Sequence, residues 1–149
     1  MFVGEGPAAG EIRAANPDAQ LLGWFEAEQL SRWLRQSVRA VVAPSLWLET
    51  GPLTVAEAAA CGIPAIVSAR CGAAEKVVHG STGFVVEPEV TALASAMRDL
   101  ADEDRAAMFG QAAYRAFWAD PPSPDAHARS LIRVYESVLS HGGLREQFA

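Results

Sequence analysis

Up to Glu87 the chain alternates short apolar runs with helical patterns. Met1-Phe2-Val3 reads as the tail of a strand running into a tight Gly4-Glu5-Gly6-Pro7 loop. Glu11–Ala15 suits a short helix closed by Asn16-Pro17, because the residue before a proline is steered away from helical backbone. Ala19-Gln20-Leu21-Leu22-Gly23 has the make-up of a strand. Between Ala27 and Gln36, Leu30, Trp33 and Leu34 recur at i, i+3 and i+4, which predicts an amphipathic helix. Ala40–Ala43 reads as a fully buried strand stopped by Pro44-Ser45. A helix follows over Leu53–Ala60, with Pro52 harmless at its start and Gly62 and Pro64 beyond its end. Ala65–Ser68 and Gly83–Val86 complete the set of buried strands.

Past Pro88 the pattern turns helical. Val90, Leu93, Ala94, Met97, Leu100 and Ala101 trace one face, and a second helix is predicted over Asp104–Phe117. Ala119-Asp120-Pro121-Pro122-Ser123 is a rigid connector, after which Ser123 caps a last helix with Pro124 at its first position and Asp125 favoured by the dipole. Ala128, Leu131, Ile132, Tyr135 and Leu139 form the stripe expected to be buried, and Gly142-Gly143 ends the helix. There is no internal repeat, and residues 1–149 read as one domain.

Strands that are apolar on both faces and alternate with helices imply an α/β fold, a parallel sheet covered on each side. In such open sheets the ligand crevice lies beyond the carboxyl ends of the strands. Here those ends are Gly4-Glu5-Gly6-Pro7, Gly23-Trp24, Pro44 to Gly51, Arg70-Cys71-Gly72 and Glu87, and glycine or polar residues gather at each.

Composition narrows the choice. A chain of 149 residues with 50% apolar side chains buries roughly 68–70% of its unfolded surface, enough for a compact domain. Its net charge is −6, and its cations are eleven arginines and the single Lys76, with no basic cluster. Such a chain has no electrostatic reason to seek nucleic acid or an anionic membrane face. No apolar run approaches the ~20 residues of a membrane span, and the first residues lack the cationic and long apolar parts of a signal peptide. Cys61 and Cys71 are too few for a disulfide scaffold and suit a reducing cytoplasm.

The chemistry concentrates between Pro44 and Pro64. Glu49 stands just before a predicted helix N-terminus and Glu57 lies on that helix, with seven residues between them. Free N–H groups of the first turn, at Gly51, Leu53 and Thr54, suit an anion such as a phosphate. An ionised carboxylate suits paired hydroxyls, each of which donates a hydrogen bond to it. A nucleotide-sugar offers both partners: a ribose diol, sugar hydroxyls and a diphosphate between.

Glu49-x7-Glu57, preceded by Pro44-Ser45 and followed by Cys61-Gly62-Ile63-Pro64, resembles the signature of the family-4 (group 1) glycosyltransferases of GT-B fold. Val3-Gly4-Glu5-Gly6-Pro7 looks like that family's second-strand loop, and Leu22-Gly23-Trp24-Phe25 like its base-binding turn. Gly72-Ala73-Ala74-Glu75 and Gly80–Val86 are similar to the segments that follow. The likeness runs from residue 1 to about residue 140. It implies a Rossmann-like donor-binding domain of a retaining hexosyltransferase that takes a nucleotide-diphosphate sugar such as a UDP- or GDP-sugar and needs no metal. By the same resemblance Glu49 takes the catalytic position beside the transferred sugar, and Glu57 binds the ribose hydroxyls. Backbone at Thr50, Gly51, Leu53 and Thr54 faces sugar and diphosphate. Gly23, Trp24 and Phe25 contact the base, and Gly4 and Gly6 belong to the donor-side loop. The helix over about residues 123–141 would cross back to an acceptor domain.

Two departures stand out. The family's common Glu-Gly-Phe-Gly is Glu49-Thr50-Gly51-Pro52 here, and Pro52 removes one amide donor. The larger one is at the start, because Met1 falls inside the family's second strand. The sheet is therefore truncated at its first strand, and the arginine and lysine that clamp the diphosphate are missing with it. In the usual strand order that strand is central, so its absence predicts a gap between the Phe2 strand and Ala40–Ala43. Unpaired buried backbone groups cost ~1–3 kcal/mol each. We expect direct pairing of those two strands, a second copy of the chain, or a separately supplied upstream segment to close the gap. The N-terminal acceptor domain is expected as a partner, with a cytoplasmic location, peripheral to the inner membrane where the acceptor domain docks there. Two lost charge-assisted contacts weaken donor affinity by roughly 10²–10⁴-fold, so the chain alone is expected to transfer nothing measurable.

Plainer readings stand beside these. Glu57 is otherwise a solvated helix residue, and Glu49 a carboxylate favoured by the helix dipole. Glu75 either holds the Gly72 loop or touches ligand. Trp24 and Trp47 are packing residues or base platforms, while Trp33 and Trp118 suit the core or a partner domain. His79 reads as a turn residue, His127 and His141 as surface, and the two cysteines as packed thiols. Two other function classes are a non-catalytic nucleotide-sugar-binding or dimerising module, and a dinucleotide-dependent oxidoreductase. The latter lacks the first strand's glycine loop and the acid after it.

Overall fold

The computed structural model describes residues 1–140, and the chain divides into two compact units, Met1–Phe117 and the part from Trp118 onward. His141 and the expected terminator Gly142-Gly143 lie outside the described residues. In chain order the first unit carries α1 (Ala9–Ala15), α2 (Ala27–Ser37), β1 (Val41–Ala43), α3 (Leu53–Ala60), β2 (Ala65–Ser68), a 3-10 turn (Gly72–Lys76), β3 (Gly83–Val86) and α4 (Val90–Asp99). α5 (Glu103–Ala119) runs across the boundary.

The sheet is parallel, in the order β1-β2-β3, with Val42, Ile66 and Phe84 in register. All four residues of β2 are buried, as a strand covered on both faces requires. Side chains alternate across it. Ala65 and Val67 join Ala43, Val55, Cys71 and Ala73 on one face. Ile66 joins Phe84, Ala96, Leu100, Ala106 and Phe109 on the other. α3 therefore covers one face, and α4 with α5 the other. The expected α/β architecture holds.

Several expectations need correction. The runs at Met1–Val3 and Ala19–Gly23 do not form strands; they meet in isolated bridges, Phe2 with Leu21 and Gly4 with Gly23. Two such short segments leave Met1, Phe2 and Val3 exposed, and a ribbon of two strands is marginal in water. Nor do they pair with β1, whose bonded neighbour among the described residues is β2. Of the three expected alternatives, direct pairing of the Phe2 run with Ala40–Ala43 is therefore not found among the described residues. Edge position also leaves Val42 37% exposed, so β1 is not fully buried. On α4 the buried positions are Ala96 and Leu100, whereas Val90 and Met97 are exposed, because docking on β2 and β3 selects the Leu93–Ala96–Leu100 side.

The second unit contains α6 (Pro124–Ser140). Ser123 caps it as expected: its Oγ accepts the Ala126 N–H at 3.1 Å. No described residue of α6 is buried, and Leu131, Ile132, Tyr135 and Leu139 are exposed. A lone helix has nothing within its own unit on which to bury its stripe. Trp118 is exposed as well, so it is not a core residue.

Candidate functional site

The residues of interest sit on loops leaving the carboxyl ends of β1 and β2. After Ala43 the chain exits through Pro44-Ser45 and stays irregular until Leu53. Glu49 forms an isolated bridge with Cys71, and the Gly72 N–H donates to the Glu49 carbonyl at 2.9 Å. The Ser45 hydroxyl donates to Glu49 Oε1. The Arg70 guanidinium donates to the Leu46 carbonyl at 3.0 Å. The loop of Glu49 is thus fastened to the turn after β2 by two hydrogen bonds, while Ser45 braces the Glu49 carboxylate from within the loop.

Two glycines permit this close approach. Gly51 has φ +111°, and a Cβ there would stand 2.7 Å from the Ala73 nitrogen. A Cβ on Gly72 would collide with the backbone of Thr50 and Glu49. A side chain at Gly51 must adopt a rare backbone conformation and push the turn away, at about 1–3 kcal/mol for the strain alone. Gly51→Ala is therefore expected to lower the urea midpoint by an amount matching that loss. Gly10→Ala, in α1 with nothing within 4 Å of the added carbon, is expected to be neutral or to stabilise by about 0.5–1 kcal/mol. Equal midpoints for both variants would contradict the packing described.

Pro52 supplies no side-chain cap to α3. Among the described residues the Gly51, Leu53 and Thr54 amides donate to no partner, while Val55 donates to the Pro52 carbonyl. The tip of α3 therefore presents unmet donors at the positive end of the helix dipole. Glu57 lies on the second turn, half-buried. Neither Glu49 nor Glu57 takes part in an ion pair among the described residues; the three pairs present join Arg32 to Glu28, Arg39 to Glu103 and Arg105 to Asp99. Two carboxylates without cationic partners thus lie in the same stretch of chain as free amides, groups that suit hydroxyls and an anion respectively.

The other expected residues form a second group. Gly4 donates to the Gly23 carbonyl at 2.7 Å, and both glycines have positive φ. Gly6 follows in the same loop, its carbonyl accepting from Ala9. Trp24 and Trp47 are exposed, which removes them from the core. Phe25 meets Trp33 edge-on, ring centres 5.6 Å apart. Among the described residues no hydrogen bond joins this group to the Glu49 loop. The Glu75 side chain makes no hydrogen bond there either, so Gly72 is held by Glu49 instead.

His79 behaves as a turn residue: its Nδ1 lies 2.9 Å from the Val85 carbonyl, and its ring packs edge-on to Phe84. Cys71 is buried. Cys61, half-buried at the end of α3, accepts the Arg35 Nε–H at 3.4 Å, a contact that holds the Arg35 guanidinium above its ordinary range. A cavity of about 370 Å³ near Arg35, Arg39, Pro64 and Glu103 opens at the opposite ends of β1 and β2 and is lined by no candidate residue. Among the described residues no three metal-ligating side chains cluster, and no helix is long and apolar enough to cross a membrane. Sequence reasoning missed Ser45 and Arg70 as supports for Glu49. Their only local signal is a serine four residues before the acid and an arginine two residues after a buried Ser68.

A family model described as glycosyl transferases group 1 matches residues 11–116. Sucrose synthase of Solanum tuberosum is 38% identical over 60 residues, 40% of this chain and 7% of that protein. Among solved structures, sucrose-phosphate synthase from Thermosynechococcus elongatus superposes with a TM-score of 0.74 at 26% identity, over 93% of this chain and 38% of that one. TarM of S. aureus, in complex with fondaparinux, alpha-GlcNAc-glycerol and UDP, gives 0.70 at 17% identity over 87% and 27%, a likeness of fold. The chain therefore spans well under half the length of these relatives.

Proposed function

The chain belongs to the group 1 glycosyl transferases, and from that premise we propose that it is the donor-binding part of a retaining enzyme. That enzyme moves a hexose from a nucleotide-diphosphate sugar to a glycan, lipid or other acceptor. The observation that carries the reading is the pairing of two unbridged carboxylates, Glu49 and Glu57, with the uncapped tip of α3 in one stretch of chain. UDP in the TarM structure makes a uridine donor the first to test.

In this reading the Glu57 carboxylate accepts from both ribose hydroxyls, and the amides at Gly51, Leu53 and Thr54 receive the diphosphate. Thr50 and Glu49 face the sugar. The second oxygen of Glu49, beyond the one that Ser45 engages, accepts a sugar hydroxyl and stabilises positive charge as the bond to the diphosphate breaks. Gly4, Gly6 and Gly23 let backbone approach the nucleotide closely, while Trp24 and Phe25 flank the base. The reading calls on no metal and no organic cofactor. The acceptor is bound by an N-terminal domain or a second copy, as the span of the longer relatives suggests, and the free thiols suit a reducing compartment such as the cytoplasm.

Calorimetric titration of the chain with UDP-glucose and GDP-mannose tests this. Saturable binding of at least one is expected below about 1 mM, equivalent to about −4 kcal/mol. No heat from either up to several times that concentration, with folded protein, would sink the reading.

A further inference from the structure

We propose that Arg70 is a positioning residue for Glu49, holding the loop that carries this acid against the turn after β2. The inference rests on the donor-binding reading of Glu49 but concerns how the acid is kept in place. Leu46, Trp47 and Leu48 are 60%, 69% and 87% exposed, so burial does little to fix the segment. What fixes it is polar. Arg70 Nη1 donates to the Leu46 carbonyl at 3.0 Å, three residues before Glu49, and the Gly72 N–H donates to the Glu49 carbonyl.

Arg70 is itself presented by a rigid element. Ser68 ends the fully buried β2 with 0% exposure. Its Oγ accepts the Arg70 N–H at 3.0 Å, and its carbonyl accepts the Cys71 N–H at 3.0 Å. Among the described residues Arg70 is in no ion pair, so no carboxylate competes for its guanidinium. A charge-assisted bond to a carbonyl is stronger than a neutral one, and here it spans from the strand end to a loop with no hydrophobic anchor. Position thus passes from Ser68 through Arg70 to Leu46 and on to Glu49.

The test uses the whole 149-residue chain. Hydrogen exchange at the Gly72 amide reports directly on whether the Glu49 carbonyl stays docked. Arg70→Met is expected to cut Gly72 protection about tenfold, the effect of losing one such bond, and to leave the β2 amides unchanged; Arg70→Lys, which keeps a donor, recovers most of it. Unchanged Gly72 protection in Arg70→Met overturns the proposal, whatever the chain binds. In parallel titrations, Arg70→Met is expected to weaken UDP-glucose about tenfold while leaving UDP unaltered, as Glu49→Gln does, and the double variant to be no weaker than Glu49→Gln alone. Equal loss of UDP and UDP-glucose would reduce Arg70 to a general structural role and also overturn it. If neither nucleotide binds the wild type, the donor-binding reading fails, and Gly72 exchange still decides whether Arg70 holds the loop.

Discussion

Replacing Phe109 with alanine is expected to lower the unfolding free energy by about 3–5 kcal/mol, the range for removing a buried aromatic ring. Phe109 is 5% exposed and lies in one cluster with Ile66, Phe84, Ala96 and Leu100. Its ring stands 5.4 Å from that of Phe84, a tilted pair that adds to area burial. Domains of this size are held by about 5–15 kcal/mol in all, so the loss is about a fifth of the total or more. The opposite face of the sheet is lined by alanine, valine and cysteine, whose truncation removes far fewer atoms. Val67→Ala is accordingly expected to cost less than half as much. Chemical denaturation of the two variants measures both, and a Phe109→Ala loss under about 1 kcal/mol would mean that α5 does not close this face.

The same cores show what a sequence reader sees and what escapes. Leu53–Ala60, Ala65–Ser68 and Gly83–Val86 match the elements found, because Pro52, Gly62, Pro64 and Gly83 punctuate the chain through local backbone sterics. The exposure of Val42, Val90 and Met97 departs from the local pattern because burial depends on which neighbour a strand or helix acquires, and that neighbour is distant in sequence. Phe2 and Leu21 failed as strands for the same reason: strand character is completed by partners. At the site, the Glu49-x7-Glu57 pattern pointed to the family whose model matches residues 11–116. The ties from Arg70 and Gly72 to the Glu49 loop were not legible, since they join residues about two dozen positions apart and carry no periodicity. Gly51 and Gly72 were visible as glycines, but their need to lack a Cβ appears only where two backbones meet.

Glu57→Ala is expected to weaken binding of UDP-glucose roughly a hundredfold or more. Two charge-assisted hydrogen bonds from a ribose diol, at about 1.5 kcal/mol each as a lower figure, total about 3 kcal/mol, and each 1.4 kcal/mol is a decade in affinity. Folding does not confound the measurement. Glu57 is half-buried, forms no ion pair among the described residues and sits in a helix interior, where alanine is the better helix former. Its melting temperature is therefore expected to hold or rise slightly while affinity falls. Glu57→Gln keeps the shape but loses the charge, which places it between wild type and alanine. The ribose itself supplies the control: a 2′-deoxy donor is expected to bind the wild type less well than UDP-glucose and to bind Glu57→Ala equally. If the deoxy donor and UDP-glucose keep their difference in Glu57→Ala, the diol is held by some other group, and the carboxylate on α3 serves only as a solvated face of the helix.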